Sequence, residues 1–279
     1  MLELPESHTI AAQMNEAIKG KQIVSARANE SPHGFAFYFG DPGDYPALLE
    51  GETVTGAHAA AGQVEVMLGD KRLLFGDGAN IRYISPEGKV PQKRQLSLAF
   101  GDGSFLTCTV QMYGGIWAFK EGTNDNFYYR VAFEKPTPLE DAFDEAYFES
   151  LLTEAKQSLS VKAFLATEQR IPGLGNGCLQ DILFHARLHP KTKLSLLSDS
   201  HREALFRSVK DILREMTDKG GRDTEKDLYG NPGGYHTVLS KNALRRPCPV
   251  CGAEIVRQSY LGGNVYFCPV CQPVLPADD

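Results

Sequence analysis

A chain of 279 residues with 42% hydrophobic and 23% charged residues is long enough to bury a sizeable core as one large or two medium domains, two being the expected count. No apolar run approaches the ~20 residues that cross a bilayer. The opening Met-Leu-Glu-Leu-Pro-Glu-Ser lacks the basic region and apolar core of a signal peptide, so a cytoplasmic protein with no membrane partner is expected. The net charge of −6 argues against a general polyanion binder, but residues 1–150 carry 12 Lys and Arg against 21 Asp and Glu, whereas residues 151–279 carry 17 against 14. Any nucleic acid is therefore expected against the second half.

In chain order, Pro5 and Glu6 suit the first turn of a helix, and Ile10, Ala11, Met14, Ala17 and Ile18 keep helical spacing up to a stop at Gly20. Short strand-like runs follow at 35–39, 64–68, 73–75, 96–100 and 105–110, bounded by Gly-Asp, Asp-Gly or Pro-Gly turns, with a hairpin tip at Gly101-Asp102-Gly103. This punctuation predicts a sandwich or barrel-like sheet. Residues 134–149, acidic and with two prolines, read as a linker into a helical half. That half has helical spacing through Phe148, Leu151, Leu152 and Ala155, a further segment at 161–166, and a long amphipathic helix over about 200–217 with Leu205, Val209, Ile212 and Leu213 on one face. Gly220-Gly221 ends it, and residues 227–236 are too rich in turn formers for anything but an exposed loop.

Between these helices, the run from Ile171 to Pro190 reads as a glycine-rich turn entering a helix, with Asn176 at the N-cap and Leu179, Ile182, Leu183 and Ala186 as the apolar stripe. Either this is a simple capped helix, or its bare backbone N–H groups and the helix dipole cradle a phosphate. At the C-terminus, Cys248-Pro-Val-Cys251 and Cys268-Pro-Val-Cys271 have the spacing of a four-cysteine structural zinc site, with residues 253–260 and 265–267 pairing as a hairpin around Gly262-Gly263. Disulfides and a redox Cys-x-x-Cys are the competing readings, disfavoured by the absence of a signal peptide and by the doubling of the motif. Cys108 and Cys178 lie in apolar runs and read as buried thiols.

Three separated pieces, Glu3-Leu-Pro-Glu6, the block 171–190 and the terminal Cys-x-x-Cys pair, together resemble the formamidopyrimidine-DNA glycosylase and endonuclease VIII family, in the same order over essentially the whole chain. The resemblance implies an α+β fold: an N-terminal helix on a two-layered antiparallel β-sandwich (1–135), a helix-two-turn-helix DNA-binding domain (136–244) and a zinc finger (245–279) holding one structural ion. It implies a monomeric base-excision-repair protein that binds damaged double-stranded DNA across the cleft between domains. Gly175 and Asn176 then grip phosphates, and Lys162 belongs to the DNA-facing surface.

The departures from the family pattern bear on chemistry. The family's N-terminal proline, whose amine attacks the deoxyribose C1′, is Leu2 here, and a side chain of that bulk is expected to keep Met1 in place. The family's hairpin lysine aligns with Gln63, its wedge methionine with Ala79, its gap-filling Asp-Pro-Arg-Arg-Phe-Gly run with residues 110–115, and the arginine of its zinc hairpin with Asn264. Glu3 and Glu6 match the family's acidic pair near the sugar, and such carboxylates can activate water or stabilise an oxocarbenium-like sugar. The expectation is a glycosylase of hydrolytic or otherwise altered mechanism, without proline-dependent lyase activity. The alternatives are a catalytically inactive relative that senses DNA damage or structure, or one that binds RNA.

Overall fold

Helix α1 (Leu4–Ala17) forms where Pro5 presets the first turn, and Gly20, with φ +83°, turns the chain away after its end. Its buried residues Leu4, Ile10, Ala11 and Met14 make the inward stripe. In the computed structural model, which describes residues 2–276, this helix belongs to a unit made of Met1–Glu134 and the distant segment Gly220–Gly233. The remaining chain, Lys135–Lys219 and Gly234–Asp279, forms a second unit.

The first unit continues with β1 (Ile23–Ala28), β2 (Ala36–Tyr38), the short α2 (Tyr45–Leu49), β3 (Gly56–Ala60), β4 (Gln63–Leu68), β5 (Lys71–Ile84), β6 (Leu96–Phe100), β7 (Phe105–Lys120) and α3 (Phe127–Glu134). Strand order is β1-β6-β7-β5-β4-β3, antiparallel throughout, with β2 added parallel to β7. The two long strands carry both layers. Residues 71–77 of β5 pair with 114–120 of β7 beside β4, and 79–84 pair with 105–110 beside β6, the register breaking at Gly78. A side chain at Gly78 would stand 2.2 Å from the Tyr113 carbonyl oxygen, so only glycine permits this close crossing. Residues from both halves, among them Val64, Phe75, Ile81, Leu98 and Leu106, join Ile10 and Met14 of α1 in one apolar cluster. Each such full burial contributes ~1.5–3 kcal/mol.

The second unit contains α4 (Glu145–Glu154), α5 (Val161–Ala166), α6 (Cys178–His185), α7 (Asp199–Asp218) and the hairpin β8 (Val256–Tyr260) with β9 (Gly263–Phe267). Helix α7 buries Leu205, Val209, Ile212 and Leu213 as its periodicity predicts. No described helix is long and apolar enough to cross a membrane.

Several expectations are corrected. The supposed linker is shorter than its composition suggests, because α3 reaches Glu134 and Asp144 N-caps α4 by accepting from the Tyr147 N–H at 2.8 Å. Asn176 does not cap α6; Gly177 holds that position, with no side-chain cap. The hairpin turns on Leu261 and Gly262, both with positive φ, while Gly263 lies in β9 opposite Tyr260. Residues 227–236 are anchored rather than simply exposed. Leu228 is fully buried and Tyr235 nearly so, and Asp227 accepts from Gln13 Nε2 and from the N–H groups of Tyr229 and Asn231. An Asx-type turn satisfies the backbone locally and frees Leu228 for the core. Retention of Met1 concerns a residue outside the described range.

Candidate functional site

Glu3 and Glu6, separated by one helical turn's spacing at the start of α1, are 3% and 4% exposed, and a third buried charge, Arg222 at 2%, lies between them. The Arg222 guanidinium grips Glu6 with two parallel bonds, Nε to Oε1 at 2.9 Å and Nη2 to Oε2 at 2.8 Å, and the Arg222 backbone N–H adds a third at 3.1 Å. Nη1 reaches Glu3 Oε1 at 3.4 Å, and the Glu3 N–H donates to Glu6 Oε2 at 3.3 Å. Neither glutamate is therefore a solvated first-turn charge. The chain delivers Arg222 by a tight excursion: a side chain at Gly233 would sit 2.2 Å from the Gly221 carbonyl oxygen, and the Gly233 N–H donates to Arg222 O at 3.2 Å. Sequence reading took Gly220-Gly221 only as a helix stop and missed the arginine that follows it. The one available signal was that Arg222 emerges directly from a glycine pair, where backbone can approach another chain segment closely.

Leu2 sits in the apolar cluster, 7% exposed, and its backbone nitrogen donates to the Asp77 carbonyl at 2.7 Å. Asp77 itself takes φ +50°, and burial pushes its carboxyl above the usual range. Opposite the Gly78 break, Met112 is 68% exposed, while burial, then the charges of Asp77 and Glu3, push the neighbouring Tyr113 hydroxyl up. Tyr113 therefore lies where the Glu3 charge reaches it. Ala79 is buried in β5, and Gln63 opens β4 with its amide directed to the Tyr128 carbonyl.

In the second unit the sequence-selected residues converge on the hairpin. Asn176 Nδ2 donates to the Asn264 carbonyl at 3.0 Å, joined there by Gln180 Nε2 at 3.2 Å, while Gln180 Oε1 accepts from the Tyr266 N–H at 3.0 Å. Gly175 closes the turn by accepting from Leu179 N at 3.2 Å. Lys162 is 3% exposed and donates from Nζ to the Tyr260 carbonyl, and burial pushes its ammonium down. Asp181 is fully buried and accepts from Val238 N at 2.8 Å and Leu239 N at 2.7 Å, pinning the approach to the cysteines. Burial pushes its carboxyl up, opposed by those backbone bonds.

The four Sγ atoms of Cys248, Cys251, Cys268 and Cys271 lie within 4.8 Å of one another, with Cys248–Cys271 at 3.8 Å and Cys251–Cys268 at 3.4 Å. A tetrahedral ion with bonds near 2.3 Å spaces its sulfurs about 3.8 Å apart, so the cage fits a metal of that kind. Burial and the other thiols push Cys271 up to about 12, whereas at Cys248 burial is outweighed by the backbone N–H groups of Cys251 and Val250 together with the Cys268 and Cys251 thiols, which pull it down to about 7. Beneath the cage, Gln272 accepts from Cys268 N at 3.0 Å and donates to Leu188 O at 2.9 Å, fixing the second knuckle to the end of the α6 segment. Cys108 and Cys178 are fully buried thiols.

Residues 135–227 match the family model of the formamidopyrimidine-DNA glycosylase H2TH domain. The chain is 26% identical over 298 residues to formamidopyrimidine-DNA glycosylase of Lactococcus lactis subsp. cremoris, covering 98% of this chain and 99% of that one. It is 27% identical over 283 residues to the enzyme of that name from Legionella pneumophila strain Paris, covering 99% and 100%. Among solved structures, MutM (Fpg) from Thermus thermophilus shares the fold with a TM-score of 0.80 at 22% identity over 98% of this chain and 100% of that one. The complex of Lactococcus lactis Fpg with DNA containing an abasic site gives 0.80 at 25% identity over 97% and 99%. The chain thus carries at residues 135–227 an H2TH segment of the formamidopyrimidine-DNA glycosylase type, and is similar to formamidopyrimidine-DNA glycosylases along its full length in sequence and in fold.

Proposed function

We propose that this protein is a DNA-repair glycosylase that binds damaged duplex DNA and releases a modified base by hydrolysis. The observation that carries the chemistry is the buried Glu3–Arg222–Glu6 group, in which one guanidinium serves two carboxyl groups. Arg222 commits its best bonds to Glu6 and touches Glu3 more loosely, so Glu6 acts as the positioning residue and Glu3 as the reacting one. As the C1′–N bond of an extruded nucleotide breaks, positive charge develops on the sugar. The Glu3 carboxylate stabilises that charge and takes a proton from the water that attacks C1′. The base leaves with the bonding electron pair and gains a proton from solvent, giving free base and an abasic site. Leu2 supports this over an imine route, because its nitrogen already donates to Asp77. Met112 and Tyr113, exposed apolar side chains of which Tyr113 feels the Glu3 charge, suit insertion into the gap left by the base.

DNA binding is brought to this chain by relatives solved with abasic-site DNA, and Gly175, Asn176 and Lys162 are its proposed contacts. A structural zinc ion in the four-cysteine cage would cross-link the two knuckles and hold the hairpin, taking no part in bond breaking. We assign the chemistry to residues 1–135 together with Arg222, DNA binding to the rest of 136–244 and the metal to 245–279, in a monomeric, cytoplasmic protein.

The test is base release from a panel of duplexes carrying oxidised, ring-opened or deaminated bases, with borohydride present in a parallel set. Wild type is expected to release free base from at least one duplex without a trapped adduct, and Glu3→Gln to lower the rate at least ~100-fold with DNA affinity retained. Duplex binding without any base release would leave a non-catalytic damage sensor in place of the enzyme. A trapped adduct would replace hydrolysis by imine chemistry.

A further inference from the structure

The cations around the β8–β9 hairpin are held in place without a carboxylate partner. Arg72, Arg94, Arg170, Arg202, Arg207 and Arg222 each pair with a carboxylate, but among the described residues Lys162, Lys191 and Arg257 have none within ion-pair distance. Their placement is built rather than incidental. The backbone of α5 is tied to the segment carrying Lys191 by Val161 N to Thr192 O at 2.8 Å and Lys162 N to Pro190 O at 3.2 Å. Both ammonium groups then lie over the ring of Tyr260, Lys162 at 5.7 Å and Lys191 at 5.2 Å from its centroid. Two like charges over one aromatic ring repel each other unless an anion joins them.

Arg257 is held from the neighbouring strand. Its Nε donates to the Asn264 side-chain oxygen at 3.2 Å, an acceptor that fixes the guanidinium plane without neutralising it. Asn264 is itself clamped through its carbonyl by Asn176 and Gln180. One nitrogen of the fork is thereby spent on orientation, and the two Nη groups form no bond among the described residues. A planar pair of N–H donors on an oriented, uncompensated guanidinium matches two oxygens of a phosphodiester, and orientation in advance lowers the entropy lost on binding.

Resting on the DNA-binding reading above, we propose that Arg257 and Lys191 are backbone-phosphate contacts, with Asn264 as the positioning residue that aims Arg257. The hairpin turn therefore needs no cation of its own, since the adjacent strand supplies one across the ladder.

The experiment is duplex binding as a function of salt for the full zinc-loaded chain, using an abasic-site duplex and an undamaged one. Each ion pair removed lowers the slope of log affinity against log salt by about 0.9. Arg257→Ala and Lys191→Ala are each expected to reduce that slope by about one and to weaken binding of both duplexes by about tenfold at moderate salt. Asn264→Asp keeps every cation but hands Arg257 a carboxylate, and is expected to reproduce the Arg257→Ala result, whereas Asn264→Gln should keep the wild-type slope. Circular dichroism and zinc content are expected to match wild type in all variants. Wild-type slopes in Arg257→Ala and Asn264→Asp would overturn the inference while leaving DNA binding intact; absence of salt-dependent binding by wild type would overturn both readings.

Discussion

At the scale of single residues, Arg222 is where stability and the proposed chemistry are joined. It lies fully inside the protein with two carboxylates as its charged partners, and removal of one member of a buried ion pair costs ~3–5 kcal/mol because the others stay buried uncompensated. Arg222→Met is therefore expected to lower the melting temperature by ~10 °C, measured by calorimetry. Arg222→Met combined with Glu6→Gln should recover part of that loss, since one of the two uncompensated carboxylates is gone and only Glu3 remains. If the single variant melts like wild type, the triad contributes nothing to folding. None of this was legible from the order of residues. Glu3 and Glu6 could be picked out by their spacing, but their partner lies 216 residues from Glu6, and only the fold brings it there.

At the scale of elements, the hairpin and its support show how local signals succeed and fail. Cysteine spacing located the cage, because chelation leaves a periodic trace in the chain, and the apolar stripe of α7 was legible for the same reason. Helix α3 was not: Asn126-Phe-Tyr-Tyr-Arg-Val-Ala-Phe is aromatic rather than periodic, and its start is set by side-chain turns at Asn124 and Asn126 that accept from backbone two residues on. His189 was equally silent. Its ring packs edge-on to Phe267 with centroids 4.4 Å apart, its Nδ1 accepts from Lys191 N at 3.1 Å, and burial, then the Lys191 charge, push its pKa down. Below the ordinary histidine pKa near 6.5 the unfolded chain binds a proton that the folded one resists, so its contribution is full at neutral pH and is lost as pH falls. Thermal melts at pH 7.5 and 5.5 are expected to show a larger drop for wild type than for His189→Gln; equal drops would remove His189 from the pH response.

At the scale of the whole molecule, each unit has its own means of cohesion. The first is held by a continuous apolar cluster, whereas the hairpin end of the second depends on a small cluster in which Cys248, Cys268 and Cys271 stand among Phe184, Leu239, Ala243 and Ile255. A cluster that small is built around four thiols that could hold a metal, and the proposed structural zinc would supply folding free energy directly. Chelation is therefore expected to lower protection from hydrogen exchange across β8, β9 and the residues preceding Cys248, while protection in β5 and β7 persists. Uniform loss over both units, or none, would contradict this division.

The return of residues 220–233 to the first unit also sets a schedule for biosynthesis. A ribosome releases α1 and every strand of the large sheet long before it reaches Arg222, so the nascent first unit must wait with Glu3 and Glu6 lacking their counter-charge. A fragment ending at Glu134 would remain permanently at that stage, which makes the protein a poor candidate for cutting into independently produced halves.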